Sequence, residues 1–128
     1  MEKIVIDTNI FIYILKGDLK LKHWLDSLEQ KHHLIVNTIV HAELIQGSKD
    51  KAEIRQIEKY LVRFEYQHID SRDAAEAIEL IRTYSKSHGL LLADALLAGQ
   101  CLMKGYHLMT RNLKDFRFVP NLLLVQAW

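Results

Sequence analysis

Three carboxylates of this sequence stand where a carboxylate is costly, and a fourth sits one short turn beyond a strand. Asp7 closes the β-branched run Ile4-Val5-Ile6 and is followed by Thr8 and Asn9. A strand buried on both faces reads as such an unbroken apolar run. Open α/β sheets bind ligands outside the carboxyl ends of their strands, so Asp7 is expected at a ligand-facing rim. Glu43 lies four residues after Ile39 and three after Val40, which makes it project from their apolar helical face. Asp94 has Leu90, Leu91, Leu97 and Ala98 at its helical neighbour spacings and is left without a polar face. Asp115 closes the stretch Thr110-Arg111-Asn112-Leu113-Lys114-Asp115.

Each position has a plainer alternative. Asp7 and Asp94 could cap helices or meet a helix dipole, Glu43 could turn towards solvent, and Asp115 could be a solvated loop acid. If the four converge on one rim they repel one another, so some stay protonated unless a cation neutralises them. The constellation therefore predicts a bound metal. All-oxygen ligands that leave room for water and phosphate suit Mg²⁺ or Mn²⁺ better than Zn²⁺.

The competing chemistries find less support. The seven histidines, His23, His32, His33, His41, His68, His88 and His107, show no paired helical spacing of the zinc-site kind. His41-Ala42-Glu43 matches the first half of a zinc deaminase signature, but the required Pro-Cys-x-x-Cys is missing and Cys101 is the sole cysteine. There is no Gly-x-Gly-x-x-Gly after the first strand, no Walker phosphate loop and no Gly-x-Ser-x-Gly elbow. Phosphotransfer through an aspartyl-phosphate also places an Asp after the first parallel strand. Here, though, Asn9 stands where a second aspartate is usual, and no late lysine can be assigned to the rim.

Positioning these acids requires alternating strands and helices. After the first strand, Asn9 to Leu15 reads as a short helix ended by Gly17, and Asp18 caps a second reaching about Lys31, with Leu21, Trp24, Leu25 and Leu28 inward. Leu34-Ile35-Val36 is the second strand, and Asn37 or Thr38 caps the helix that carries Glu43 and stops at Gly47. Asp50 opens a helix to about Arg63 with Ile54, Ile57 and Leu61 inward, and Glu65 to Ile69 is a weaker third strand. Asp70 or Ser71 caps the longest helix, whose spacing turns Ala74, Ala77, Ile78, Ile81 and Tyr84 inward as far as Gly89. The run from Leu90 to Ala98 leads into the Asp94 helix, which stops at Gly105; Tyr106 to Thr110 and Leu122 to Val125 make the last two strands. Strands alternating with helices imply a three-layer α/β/α sandwich around a central, mostly parallel sheet of four to five strands, as one domain spanning residues 1–128.

The totals agree with a self-sufficient globular domain. The chain has 128 residues, 49% hydrophobic and 26% charged, with 17 basic against 16 acidic side chains. That near balance argues against bulk affinity for nucleic acid. Sequestering four acids in one site, however, leaves the 17 basic side chains facing 12, enough to steer a polyanion towards an acidic hole. Cys101 excludes an internal disulfide and reads as a small buried hydrophobe. No apolar run approaches the ~20 residues of a membrane span, and none near the start resembles a signal core, so the expected location is the cytoplasm.

The segments VIDTN around Asp7, HAELIQG around Glu43, LLADALLAG around Asp94 and TRNLKDF around Asp115 resemble, in order and spacing, the PIN domain family. Within it they are similar to the small ribonuclease toxins of the VapC type, over essentially the whole chain. The resemblance implies a Mg²⁺- or Mn²⁺-dependent endoribonuclease that hydrolyses RNA phosphodiester bonds. Asp7, Glu43 and Asp94 would be its metal-binding acids and Asp115 its fourth. Thr8, Asn9 and Thr110 would hold the acids by hydrogen bonds, and Asn112 would serve as an amide ligand or orienter. A homodimer and a VapB-like antitoxin are implied as partners, with Trp24, Phe11, Tyr13 and Ile45 as candidate apolar contacts.

A non-catalytic PIN-like module that binds RNA or regulates is the alternative; retention of all four acids argues against it. Spacing alone sets Lys51, Arg55, Lys59 and Arg63 in a row that could track phosphates, although a charged outer face is also what any soluble helix shows. Arg82, Lys86 and Arg111 are further RNA-contact candidates nearer the expected rim.

Overall fold

The apolar runs Ile4-Val5-Ile6 and Leu34-Ile35-Val36 lie side by side in a parallel sheet. The computed structural model describes residues 2–127. Its strands are β1 (Lys3–Ile6), β2 (His33–Asn37), β3 (Glu65–Gln67), β4 (His107–Thr110) and β5 (Leu123–Gln126), in the order β3-β2-β1-β4-β5 with every neighbouring pair parallel. Val5 stands opposite Ile35 on one side and Leu108 on the other, and all three are fully buried. This is the expected α/β/α arrangement, with helices α1 (Thr8–Leu15), α2 (Leu19–Glu29), α3 (Thr38–Gln46), α4 (Lys51–Leu61), α5 (Ser71–His88) and α6 (Leu92–Lys104) as the connections.

Helix starts follow side-chain chemistry. Asp18, Asn37, Asp50 and Asp70 each accept the main-chain N–H three residues on, which satisfies one of the orphan donors of a first turn. Asp70 and Asp73 cap reciprocally at the head of α5. Helices α5 and α6 then approach closely at Gly99, where a Cβ would lie 2.8 Å from the Asp73 carbonyl oxygen; only glycine fits there. Among the described residues no helix is long and apolar enough to cross a membrane.

The differences from expectation are local. Strand β3 stops at Gln67 rather than Ile69, because the Ile69 N–H turns away to the Thr38 hydroxyl. Helix α5 is rotated so that Leu80 is buried and Ile78, expected inward, is 52% exposed. Phe11 is no surface contact. It is fully buried, edge-on to the rings of Tyr60 and Phe64.

Candidate functional site

Asp7 leaves β1 at its carboxyl end and becomes the N-cap of α1. Its Oδ1 accepts the Thr8 N–H at 2.7 Å, and its Oδ2 accepts the Thr110 hydroxyl at 2.8 Å across 103 residues of sequence. The Thr110 hydroxyl in turn accepts the Asn112 N–H at 3.0 Å. Thr8 reaches the other way: its hydroxyl donates to Glu43 Oε1 at 2.6 Å, tying α3 to the head of α1. A continuous chain of hydrogen bonds thus runs from Asn112 through Thr110 to Asp7, with Thr8 and Glu43 beyond it. It fixes a buried carboxylate at the rim while each of its oxygens keeps a free lone pair.

Asp94 enters from the first turn of α6, half-buried, and among the described residues it makes no side-chain hydrogen bond. It is not the cap of that helix; Leu91 holds the cap position and offers no side-chain acceptor. Burial first, and then the charges of Asp7, Asp115 and Glu43, push its pKa up to about 7. The pKa of Asp7 rises to about 6. Burial is the larger cause and the repulsion of Glu43 and Asp115 adds to it, against the lowering effect of the Thr110 and Thr8 hydrogen bonds. The four acids therefore feel one another across a single site. Asp115 arrives on the 3₁₀ turn Leu113–Asp115 and is half-buried. Among the described residues, no three His, Cys, Asp or Glu side chains are already arranged to hold a metal ion.

The remaining candidates separate into those at the rim and those away from it. Asn9 Oδ1 is buried without a hydrogen-bond partner among the described residues, an oxygen with lone pairs to give two positions beyond Asp7. Asn112 is exposed and contributes through its main-chain N–H. Arg111 stacks over the Tyr13 ring at 4.5 Å and meets Asp18 at 3.5 Å. Arg82 and Lys86 are exposed on α5, and Lys51, Arg55 and Lys59 on α4. Arg63 is not available to that row, because Asp26 and Glu29 of α2 hold its guanidinium.

Two residues near the site carried only a faint sequence signal. Asn37 and Gln100 are both fully buried, and Asn37 Nδ2 donates to Gln100 Oε1 at 2.9 Å. Asn37 was legible as a helix cap. Gln100, a lone amide in the apolar run Leu96 to Leu102, could have been flagged as a buried polar group in need of a partner.

Comparison with known proteins places this geometry in context. The model of the PIN domain matches residues 4–121. Ribonuclease VapC2 of Rickettsia felis is 31% identical over 127 residues, covering 94% of each chain. Ribonuclease VapC10 of Mycobacterium tuberculosis is 30% identical over 120 residues, covering 93% of this chain and 90% of the relative. Among solved structures, VapBC2 from Rickettsia felis, bound to a DNA fragment from its promoter, superposes with a TM-score of 0.82 at 28% identity over 98% of both chains.

Proposed function

The chain belongs to the PIN domain family, and from that premise we propose that it is a metal-dependent endoribonuclease, the toxin of a VapBC-type toxin–antitoxin pair acting in the cytoplasm. The observation that carries the reading is the gathering of Asp7, Glu43, Asp94 and Asp115 at one half-buried rim, where burial first and the neighbouring acids second raise Asp7 to about 6 and Asp94 to about 7. Carboxylates that cost this much apart from a cation are what a cation would relieve. Asp7 and Asp94 would be its principal holders, with Glu43 and Asp115 beside them. When bound, Mg²⁺ or Mn²⁺ supplies charge to the scissile phosphate and an acidified water at neutral pH.

The chain's own contribution is positioning. Thr110 and the Thr8 amide hold the two oxygens of Asp7, and the Thr8 hydroxyl holds Glu43, so the acids keep their orientation as a polyanion enters. The alternative, a non-catalytic RNA-binding or regulatory PIN module, draws support from the lack of a ready-made three-ligand cage among the described residues. Against it, Mg²⁺ is commonly held by one or two carboxylates, with waters and substrate phosphate completing the shell, so no closed protein cage is needed. Incubating the purified protein with RNA and Mn²⁺ decides between them. Internal cleavage that stops on adding EDTA and returns with excess Mn²⁺ is the expected result; RNA binding without any cleavage would favour the alternative.

Substrate steering falls to the exposed cations. Lys51, Arg55 and Lys59 lie on one face of α4, and Arg82 and Lys86 lie on α5. Replacing Lys51, Arg55 and Lys59 together by Ala is expected to weaken RNA affinity and flatten the log K against log salt slope by about 2, at roughly 0.7 per phosphate contact. An unchanged slope removes this row from the RNA path.

A VapB-like antitoxin and a second copy of the chain are the proposed partners. Support for the antitoxin comes from the relatives and from a cavity of about 460 Å³ beside Glu43, walled by Ile12, Leu15, Leu44 and Ile57. Ile12 and Leu15 remain 39% and 43% exposed there, apolar surface that an entering peptide could cover.

A further inference from the structure

Asn37 and Gln100 are both 0% exposed, and every side-chain hydrogen bond they make points along a line joining separate elements. Asn37 Oδ1 accepts the Val40 N–H at 3.0 Å and so caps α3, the helix of Glu43. Its Nδ2 donates to Gln100 Oε1 on α6, the helix of Asp94, at 2.9 Å. Gln100 Nε2 then donates to the carbonyl of His68, just beyond β3, at 3.3 Å. Two buried amides cost desolvation that an apolar pair of the same volume would avoid, so they are not explained by stability alone. What they provide is direction: apolar contacts let two helices slide, whereas a buried amide pair in which every side-chain nitrogen and oxygen has a partner fixes one register.

We propose that the Asn37–Gln100 pair is a positioning device for the acidic site, setting the separation of the Glu43 helix from the Asp94 helix and thereby the affinity for the divalent cation. Asn37 stands six residues before Glu43, and Gln100 six after Asp94. At 1.5 Å per residue the pair therefore grips each helix about 9 Å along its axis from the acid it carries. Neither side chain touches the acids. The inference rests on the metal-site reading given above.

The test measures Mn²⁺ binding directly, by the loss of the free-ion electron paramagnetic resonance signal, so that no RNA is needed. Asn37→Ser keeps a capping hydroxyl for α3 but cannot reach Gln100, and Gln100→Met keeps the volume and removes both hydrogen bonds. Leu80→Ala, in the buried face of α5, supplies a comparable loss of stability without touching the pair. The expected result is Mn²⁺ affinity lowered about tenfold in Asn37→Ser and in Gln100→Met, the scale seen when groups supporting metal ligands are removed. Leu80→Ala should bind as the parent does. The double variant should lose little more than either single one, because the two act as a unit. Parent-like affinity in Asn37→Ser and Gln100→Met overturns the inference, as does an equal loss in Leu80→Ala. A parent protein that binds no Mn²⁺ overturns instead the metal-site reading beneath it.

Discussion

Replacing Asp94 by asparagine is expected to cripple RNA cleavage and at the same time to make the metal-free protein harder to melt at pH 8. The second effect follows from the sign of its shift. Burial and three neighbouring acids raise Asp94 from 3.8 to about 7. Between those values the folded chain holds a proton that the unfolded chain has released, so stability falls as the pH rises through this window and remains lost above it. Full conversion would be worth about 4 kcal/mol; because Asp94 is only half-buried, solvent screening reduces this to about 1–2 kcal/mol. Asparagine removes the charge and nearly preserves the shape. A gain in Tm of about 3–6 °C is expected at pH 8 and almost none at pH 4. Cleavage with Mn²⁺ should fall about 1000-fold, the loss of several kcal/mol of charge stabilisation at the phosphate. Calorimetry at the two pH values beside an RNA cleavage assay checks both halves, and full activity in Asp94→Asn would sink the nuclease reading.

Replacing Lys104 by methionine acts on the fold instead. Asp73 is fully buried at the head of α5, with Oδ1 on the Lys104 ammonium at 2.8 Å and Oδ2 on the Asp70 N–H at 3.1 Å. Lys104 also reaches Asp70, and these two carboxylates raise its pKa. Methionine keeps the stem and leaves the buried carboxylate with one main-chain donor. Stranding one member of a buried pair costs about 3–5 kcal/mol. The Lys104 side chain is 27% exposed, which lets water replace part of the loss, so about 2–3 kcal/mol and a fall in Tm of about 6–10 °C are expected. Adding Asp73→Asn should restore roughly half, since an amide oxygen can still accept the Asp70 N–H. No recovery in that double variant would mean that the ammonium, not the stranded charge, accounts for the loss.

What the sequence disclosed and what it hid divide along physical lines. Strands β1 and β2 and the helix starts at Asp18, Asn37, Asp50 and Asp70 are written in local chemistry, in β-branched runs and in oxygens that reach a nearby N–H, and those signals do not depend on distant neighbours. The unpartnered position of Asp94 was legible for the same reason, because Leu90, Leu91, Leu97 and Ala98 left it no polar face. Hidden were the contacts that only tertiary packing decides. The stripe drawn through Ala74, Ala77, Ile78 and Ile81 sits too far round α5: burial follows Asp73, Ala77 and Leu80, and Ile78, two residues from Leu80 and so on another side of the helix, is exposed. Phe11 looked like a surface ring until Tyr60 and Phe64, some fifty residues away in sequence, closed over it. Arg63 completed a row of cations by spacing, yet Asp26 and Glu29 had claimed it. The partner of Gln100 was likewise unreadable, because nothing local marks an amide 63 residues away as its match.

The hydrogen bond from Thr110 to Asp7 spans 103 residues, and strand β1 is held between β2 and β4. Strand β1 is made before β4, but its acid does not gain its second donor until β4 has paired beside it, and Asp115 follows later still. The rim is thus assembled from segments 103 residues apart and is incomplete until the later one is made. A chain cut short before residue 110 would keep the Asp7 carboxylate on the Thr8 amide alone, without the hydroxyl that holds its second oxygen.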